Sequence, residues 1–240
     1  MENSLSIALA RQSVLGRQMD SIATNLANMN TGGYKAEHTI FSEFLEKTND
    51  GERLSLVHDV APLRDMSDGP MTVTNNPLDL AISGDGFFVV QTADGPRYTR
   101  HGAFQLDNQG QIVTLQGDPV LNSGNSPMVV PTGTSTIEIA RDGTLSADAL
   151  AIGKIQVARF DNPGALKKQG DNLYDAKGQT PARAPDAKVL QGSIEASNVK
   201  GVVEMTRMID VVRSYQSAGK LAESEHRRIL DTIDALVGTN

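Results

Sequence analysis

Four histidines, His38, His58, His101 and His226, are the first residues to test for chemistry. Two imidazoles four residues apart on a helix, with a neighbouring glutamate, would build a zinc site. These four are isolated from one another and none has that spacing. Ser197 and Lys200 fit the serine-x-x-lysine pattern of some acyl-transfer enzymes, but the supporting motifs are missing. Ser197 or Asn198 is better placed to cap a following helix, its side-chain oxygen accepting from a free amide of the first turn. Gly84 and Gly86 in "SGDGFF" precede a strand pattern and lack the third glycine and the helix that a dinucleotide needs, so they read as a tight turn. The acid pairs Asp79/Asp85 and Asp142/Asp148 could serve glycoside hydrolysis, yet their setting is turn sequence, where aspartate caps its own backbone. The sequence therefore specifies no catalytic residue, no metal site, no cofactor and no small-molecule substrate.

The elements that would position such residues point elsewhere. Leu5, Ala8, Gln12, Leu15, Met19, Ile22, Leu26 and Met29 alternate at spacings of three and four, the seam of a helix that packs against other helices. A helix over residues 4 to 29 would be roughly 40 Å long. Its other positions include Ser4, Ser6, Ser13, Ser21, Thr24, Asn25 and Asn28, with charge only at Glu2, Arg11, Arg17 and Asp20. Such groups hydrogen-bond without a large desolvation cost, so the helix reads as one surrounded by protein. A second helix follows residue 198, with Met205, Met208, Ile209, Val212, Tyr215, Ala222, Ile229, Ile233 and Leu236 on one side. Asp210 with Arg213, Glu223 with Arg227 and Glu225 with Arg228 have the spacing of ion pairs on its outer face.

Between the helices, "DLAISGDGFFVVQTADGPRYTRHGAFQLDNQGQIVTLQGDPVL" alternates short β-branched or aromatic runs with Asp-Gly, Gln-Gly and Gly-Asp turn signals. It predicts an antiparallel, hairpin-rich domain. Residues 161–190 are rich in Gly, Pro and Lys and are expected to be an extended surface segment. Residues 36–77 are expected to be a connector, with a short helical extension at Phe41, Phe44 and Leu45 and a strand at "LSLVHDV". The fold class is thus α+β: residues 1–35 and 192–240 form a terminal helical assembly domain whose helices pair in coiled-coil fashion, and residues 78–191 form a central all-β domain.

The 240 residues are 39% hydrophobic, which suits a packed core, and contain neither cysteine nor tryptophan. Disulfides and large aromatic anchors therefore supply none of the stability. A net charge of −7 with no long basic cluster argues against nucleic acid. No window is apolar enough to span a bilayer, so membrane insertion is not expected, and "MENSLSIALARQ" lacks the basic and apolar regions of a cleaved secretory signal. Helices at both chain ends need something to hold them, and packing between subunits would do so. The assembly interface is expected to comprise Leu5, Leu15, Met19, Ile22, Asn25, Leu26, Asn28, Met205, Ile209, Val212, Ile229 and Ile233. Asn25 and Asn28 would hydrogen-bond a neighbouring chain, and Gly32 or Gly33 would take the left-handed conformation that stops the first helix.

The stretch "NLANMNTGGYK" resembles the N-terminal signature of the flagellar rod and hook axial proteins. The likeness continues through "NPLDLAISGDGFFVV", "YTRHGAFQLDNQGQIVT", "GDPVL" and "NPGALKKQGDNLY" to "EASNVKGVVEMTRMIDVVRSYQ", covering nearly the whole chain in order. Gly33 between Gly32 and Tyr34, and Ala196, depart from the usual pattern. The resemblance implies a non-enzymatic structural subunit of the bacterial flagellar basal-body rod, most similar to proximal rod members, with the distal rod members next; the classes that compete with it are an enzyme on a β scaffold and an adhesin or phage-tail-like fibre protein. It further implies partners among self and neighbouring axial subunits, export by the flagellar type III apparatus without a cleaved signal, and a place in the periplasmic rod, transmitting torque.

Overall fold

The computed structural model describes the backbone of residues 2–47 and 53–237 and the side chains of residues 7–40 and 63–235. The chain is α+β, with a helix near each end and antiparallel strands between. It divides into two compact units, one comprising Met1–Ala27, Glu37–Arg64 and Lys200–Asn240, the other Asn28–Ala36 and Asp65–Val199.

The first unit holds helix α1 (Glu2–Ala27), strands β1 (Glu37–Lys47) and β2 (Arg53–Arg64), and helix α2 (Gly201–Val237). The helices pack antiparallel: Asn25 Nδ2 donates to Glu204 Oε2 at 3.3 Å, while Gln12 Nε2 lies 3.5 Å from where a side chain on Gly219 would begin. β1 and β2 pair antiparallel from Glu37↔Arg64 to Lys47↔Arg53, with a bulge at Ile40/Phe41. The expected helical extension at Phe41, Phe44 and Leu45 is therefore strand. Three-four spacing of apolar residues also occurs in strands, and here "EHTIF" supplies β-branched and aromatic residues while Arg53–Arg64 supplies a ladder partner.

The second unit begins with the turn after α1. Thr31 N–H donates to the Asn28 carbonyl at 3.1 Å, and Gly33 takes φ +66°. A Cβ on Gly33 would stand 2.5 Å from the Arg100 carbonyl carbon, so this position admits glycine for both conformation and space. Strand β3 (Met71–Val73) pairs with Ser193–Glu195, and β4 (Leu80–Ser83) with Lys188–Gln191. Strands β5 (Phe87–Thr92) and β6 (Gly95–Thr99) form a hairpin at the middle of a six-stranded antiparallel sheet. Its two-residue loop is the one signalled by Ala93-Asp94-Gly95, and Gly95 takes φ +106°.

β5 is buried on both faces, which explains its unbroken apolar run. Phe88 and Val90 enter one core with Leu80, Ile82, Phe104 and Leu145; Phe87 and Val89 enter another with Tyr98, Leu121, Phe160 and Tyr174. The sheet's outer strands correct the expectation for residues 161–190. Lys167–Lys168, Leu173–Asp175 and Ala182–Arg183 are three of the six strands, and Leu166 and Tyr174 are fully buried. Strands of two or three residues are too short to show a period, so single apolar residues among turn formers gave no sign of them.

Candidate assembly surface

The seam that α2 turns inward shares only part of the stripe its apolar residues mark, namely Met208, Tyr215, Ala222 and Ile229. Buried or half-buried positions run Glu204, Met208, Val211, Tyr215, Ala218, Ala222, Glu225 and Ile229, alternating strictly between four and three residues. On α1 the corresponding buried residues are Ala8, Ile22 and Asn25, with Leu15 half-buried between them. Much of this seam is small or polar. Alanine lets the backbones approach, and Glu204 is buried because Asn25 Nδ2 and Arg207 Nη1 donate to its carboxylate, the latter at 2.6 Å.

Apolar side chains flank the seam in solvent. Val202 is 80% exposed, Met205 51% and Ile209 52%, in a row spaced three and four that half-buried Val212 continues. Of the expected interface residues, Met205, Ile209 and Ile233 are exposed, and Leu15, Met19, Leu26, Asn28, Val212 and Ile229 are half-buried. Ile22 is buried inside the unit, and Leu5 lies outside the residues whose side chains are described. Asn25 corrects the expectation of a contact to a neighbouring chain. It is fully buried, accepts from Glu37 N–H at 2.9 Å and donates to the Glu37 carbonyl at 2.8 Å, anchoring the base of β1. Asn28 Oδ1 accepts from Thr31 Oγ1 at 3.2 Å. Ser21 Oγ joins Asn25 on the Glu37 carbonyl, and Glu37 Oε1 accepts from Arg64 Nε at 3.1 Å.

The second unit brings the two quoted signature stretches together. Gly33 N–H donates to the Glu195 carbonyl at 2.7 Å, Asn198 N–H to the Tyr34 carbonyl, and Ala36 N–H to Asn198 Oδ1 at 2.8 Å. Asn198 Nδ2 donates in turn to the carbonyls of Asp65 and Ser67. Beneath this backbone lies a buried charge cluster. Lys35 Nζ donates to Glu195 Oε1 and to the Ser67 carbonyl, each at 2.7 Å, and Gly69 N–H donates to the same Glu195 oxygen at 2.9 Å. Glu195 Oε2 accepts no hydrogen bond and faces Arg100 Nε at 3.6 Å, while Arg100 Nη2 donates to Asp68. Burial holds the Lys35 ammonium below its ordinary pKa, against the opposing pull of Glu195. Spacing could not reveal this clasp, because Lys35 and Glu195 stand 160 residues apart. The one trace in the sequence is a lone Glu195 within the strand pattern "GSIEAS".

Of the residues tested for chemistry, Ser197, Asp79, Asp142 and Asp148 are held in local hydrogen bonds, and the side chain of His58 lies outside the described residues. Ser197 Oγ accepts from Val199 N–H, and Asn198 is spent on the clasp, so neither caps α2, which begins only at Gly201. Asp142 accepts from Thr144 N–H and Oγ1, and these bonds, the backbone one foremost, hold its pKa low. Asp148 accepts from Ser135 and Thr136 N–H, and Asp79 from Asn76 Nδ2. Desolvation lowers the pKa of His101. Among the described residues no group of three or more His, Cys, Asp or Glu could hold a metal ion, and no helix is long and apolar enough to cross a membrane.

Comparison with known proteins bears on the same segments. Residues 81–147 match the family described as the flagellar hook protein FlgE/F/G D1 domain, and residues 190–233 match the C-terminal region of flagellar basal body rod FlgEFG proteins. The chain is 38% identical to the flagellar basal-body rod protein FlgF of Caulobacter vibrioides, over 93% of this chain and 94% of that one. It is 33% identical to FlgF of Mesorhizobium japonicum, over 92% of each. It is also 33% identical to the basal-body rod protein FlgG of Buchnera aphidicola from Acyrthosiphon pisum, over 84% of this chain and 87% of that one. These relatives are structural rod proteins, and no catalytic family is indicated.

Proposed function

The chain belongs to the flagellar basal-body rod protein family and is a structural subunit of that rod, and from this premise we propose that it is a proximal rod subunit that polymerises through its terminal helices. The higher identity and coverage of the Caulobacter FlgF, compared with the Buchnera FlgG, favour the proximal over the distal rod. The observation that carries the assembly reading is the exposed apolar row Val202, Met205 and Ile209 beside a seam in which alanine and glutamate hold half of the α2 positions. A helix pair that leaves its larger apolar groups outside gains most by packing them against further helices. Leu5, Leu15, Met19, Leu26, Asn28, Met205, Ile209, Val212, Ile229 and Ile233 are proposed for that surface, with Ile22 acting from within the unit.

In this reading the subunit leaves the cytoplasm through the flagellar type III apparatus without a cleaved signal and lies in the periplasmic part of the rod. Coiled-coil contacts among terminal helices of self and neighbouring axial subunits resist twist and transmit torque. Ile209→Asp tests this. It places a charge on an exposed position, so the purified chain should unfold at the wild-type temperature, yet a strain carrying it should build neither hook nor filament while retaining the membrane-embedded base. Wild-type motility from that strain would refute the reading.

A further inference from the structure

Gln12 of α1 stands opposite Gly219 of α2 in the antiparallel pair. Ten residues separate Gln12 from the first helical residue of α1, and ten beyond Gly219 reach Ile229. The eight residues 230–237 of α2 thus continue past the level of Glu2, for about 12 Å. Their exposure agrees: Ile229 is half-buried, and every residue from Leu230 to Ala235 is exposed, including Leu230 at 47% and Ile233 at 49%. The overhang is amphipathic, with Leu230 and Ile233 three apart on one row and Asp231 and Asp234 on the row beside it. Neither acid makes an ion pair among the described residues.

The same unit contains a groove of matching length and opposite charge. It runs along α2 from Arg213 to Leu221 and is walled by Ile7, Ala8 and Arg11 of α1, with a volume of about 590 Å³. Its floor is small, formed by Ser214, Ser217 and buried Ala218, and Ile7 and Leu221 form exposed apolar flanks. Arg11 and Arg213 rim it. The sequence pairs Arg213 with Asp210, but that ion pair is not made, and among the described residues neither arginine has an acidic partner.

We propose that the overhang of one copy docks in this groove of a second copy, with Leu230 and Ile233 seated on Ser214, Ser217 and Ala218 and Asp231 and Asp234 facing Arg11 and Arg213. Small residues on a helix pair receive the apolar knobs of a third helix. The contact is head to tail, because overhang and groove lie in different places on one chain, so it propagates rather than closing a pair. This inference rests on the rod-subunit reading and names the segment and surface through which the helices join.

The chain has no cysteine, which permits a disulfide test without background. Ser217 and Ile233 stand sixteen residues apart on one helix, about 24 Å. A disulfide needs Cα atoms within about 7 Å, so it cannot close within a chain. Basal bodies from a strain whose only copy carries Ser217→Cys and Ile233→Cys, oxidised and run without reductant, should give a ladder of this chain's multiples. Arg11→Glu with Arg213→Glu should lower the ladder by roughly tenfold, equivalent to about 1.4 kcal/mol. Adding Asp231→Arg with Asp234→Arg should restore it. Ser214→Cys with Leu230→Cys serves as a second pair should the first disturb incorporation. Basal bodies that contain the chain but yield only monomer from both pairs, or a product with a protein of different mass, overturn this contact and leave the rod-subunit reading standing. Absence of the unmodified chain from basal bodies would instead overturn the rod-subunit reading.

Discussion

Glu195→Gln should destabilise the β unit more than Lys35→Met, although each removes one half of the same buried pair. Lys35 and Glu195 side chains are 0% and 1% exposed, so neither charge can turn to water when its partner is lost. Without the carboxylate, Lys35 keeps the Ser67 carbonyl at 2.7 Å, but its remaining acid is Asp68 at 3.9 Å, and Arg100 repels it. Without the ammonium, Glu195 keeps Gly69 N–H at 2.9 Å and the Arg100 guanidinium at 3.6 Å. An uncompensated buried charge costs about 3–5 kcal/mol, which is the loss expected for Glu195→Gln. At roughly 2–4 °C per kcal/mol for a chain of this size, the unfolding temperature should fall by about 6–20 °C. For Lys35→Met the loss should be smaller, since desolvation already opposes the ammonium, as its lowered pKa records. Calorimetry of both variants and of the double variant, at neutral pH and fixed salt, measures the ordering. A loss below about 1 kcal/mol for Glu195→Gln, or a larger loss for Lys35→Met, would refute the argument.

The other expectations follow from conformation and titration. Gly33→Ala should cost about 1–3 kcal/mol, because φ is +66° and the new Cβ would meet the Arg100 backbone, whereas Gly16→Ala, with open space around a helical position, should stabilise α1 by about 0.5–1 kcal/mol; urea unfolding separates the two. His101 has its pKa lowered by burial, so between that value and 6.5 the unfolded chain binds the proton more readily, and stability should fall as pH drops below 6.5. His101→Gln should flatten that part of the profile, which stability measured from pH 8 to 5 would reveal. Ile209→Asp should leave the unfolding temperature unchanged while abolishing motility.

The parts of the fold that reached through the sequence are those whose signals are local. Residues such as Ala93-Asp94-Gly95 and Asp142-Gly143 mark turns because the backbone there needs glycine, with φ +106° at Gly95 and +86° at Gly143. The seam of α1 through Ala8, Leu15 and Ile22 is legible because its apolar residues face inward. The hairpin at Phe41 and Phe44 was ambiguous, since its spacing suits helix and strand alike and only pairing with Arg53–Arg64 decides. The clasp was hidden because a lysine and a glutamate far apart in sequence read as surface charges until the chain brings them together.

The seam of α2 shows why the candidate surface was only half legible. Hydrophobic periodicity puts Met205, Met208, Ile209, Val212, Tyr215, Ala222, Ile229 and Ile233 on one side of α2, and Met205, Ile209, Val212, Ile229 and Ile233 of these are expected at contacts between helices. In the structure the stripe divides: Met208, Tyr215, Ala222 and Ile229 turn inward beside Glu204, Ala218 and Glu225, while Met205, Ile209 and Ile233 face outward. The division has an energetic consequence. With alanine or glutamate at four of its eight α2 positions, the seam buries less apolar area than the whole stripe would, so at about 25 cal/mol per Å² it holds the pair together less firmly. The groups able to contribute more, Val202, Met205, Ile209, Leu221, Leu230 and Ile233, are exposed at 47–80% in the isolated chain. In the proposed assembly another helix would bury them, and a helical unit built this way would gain its order and its stability in the same step as it assembles.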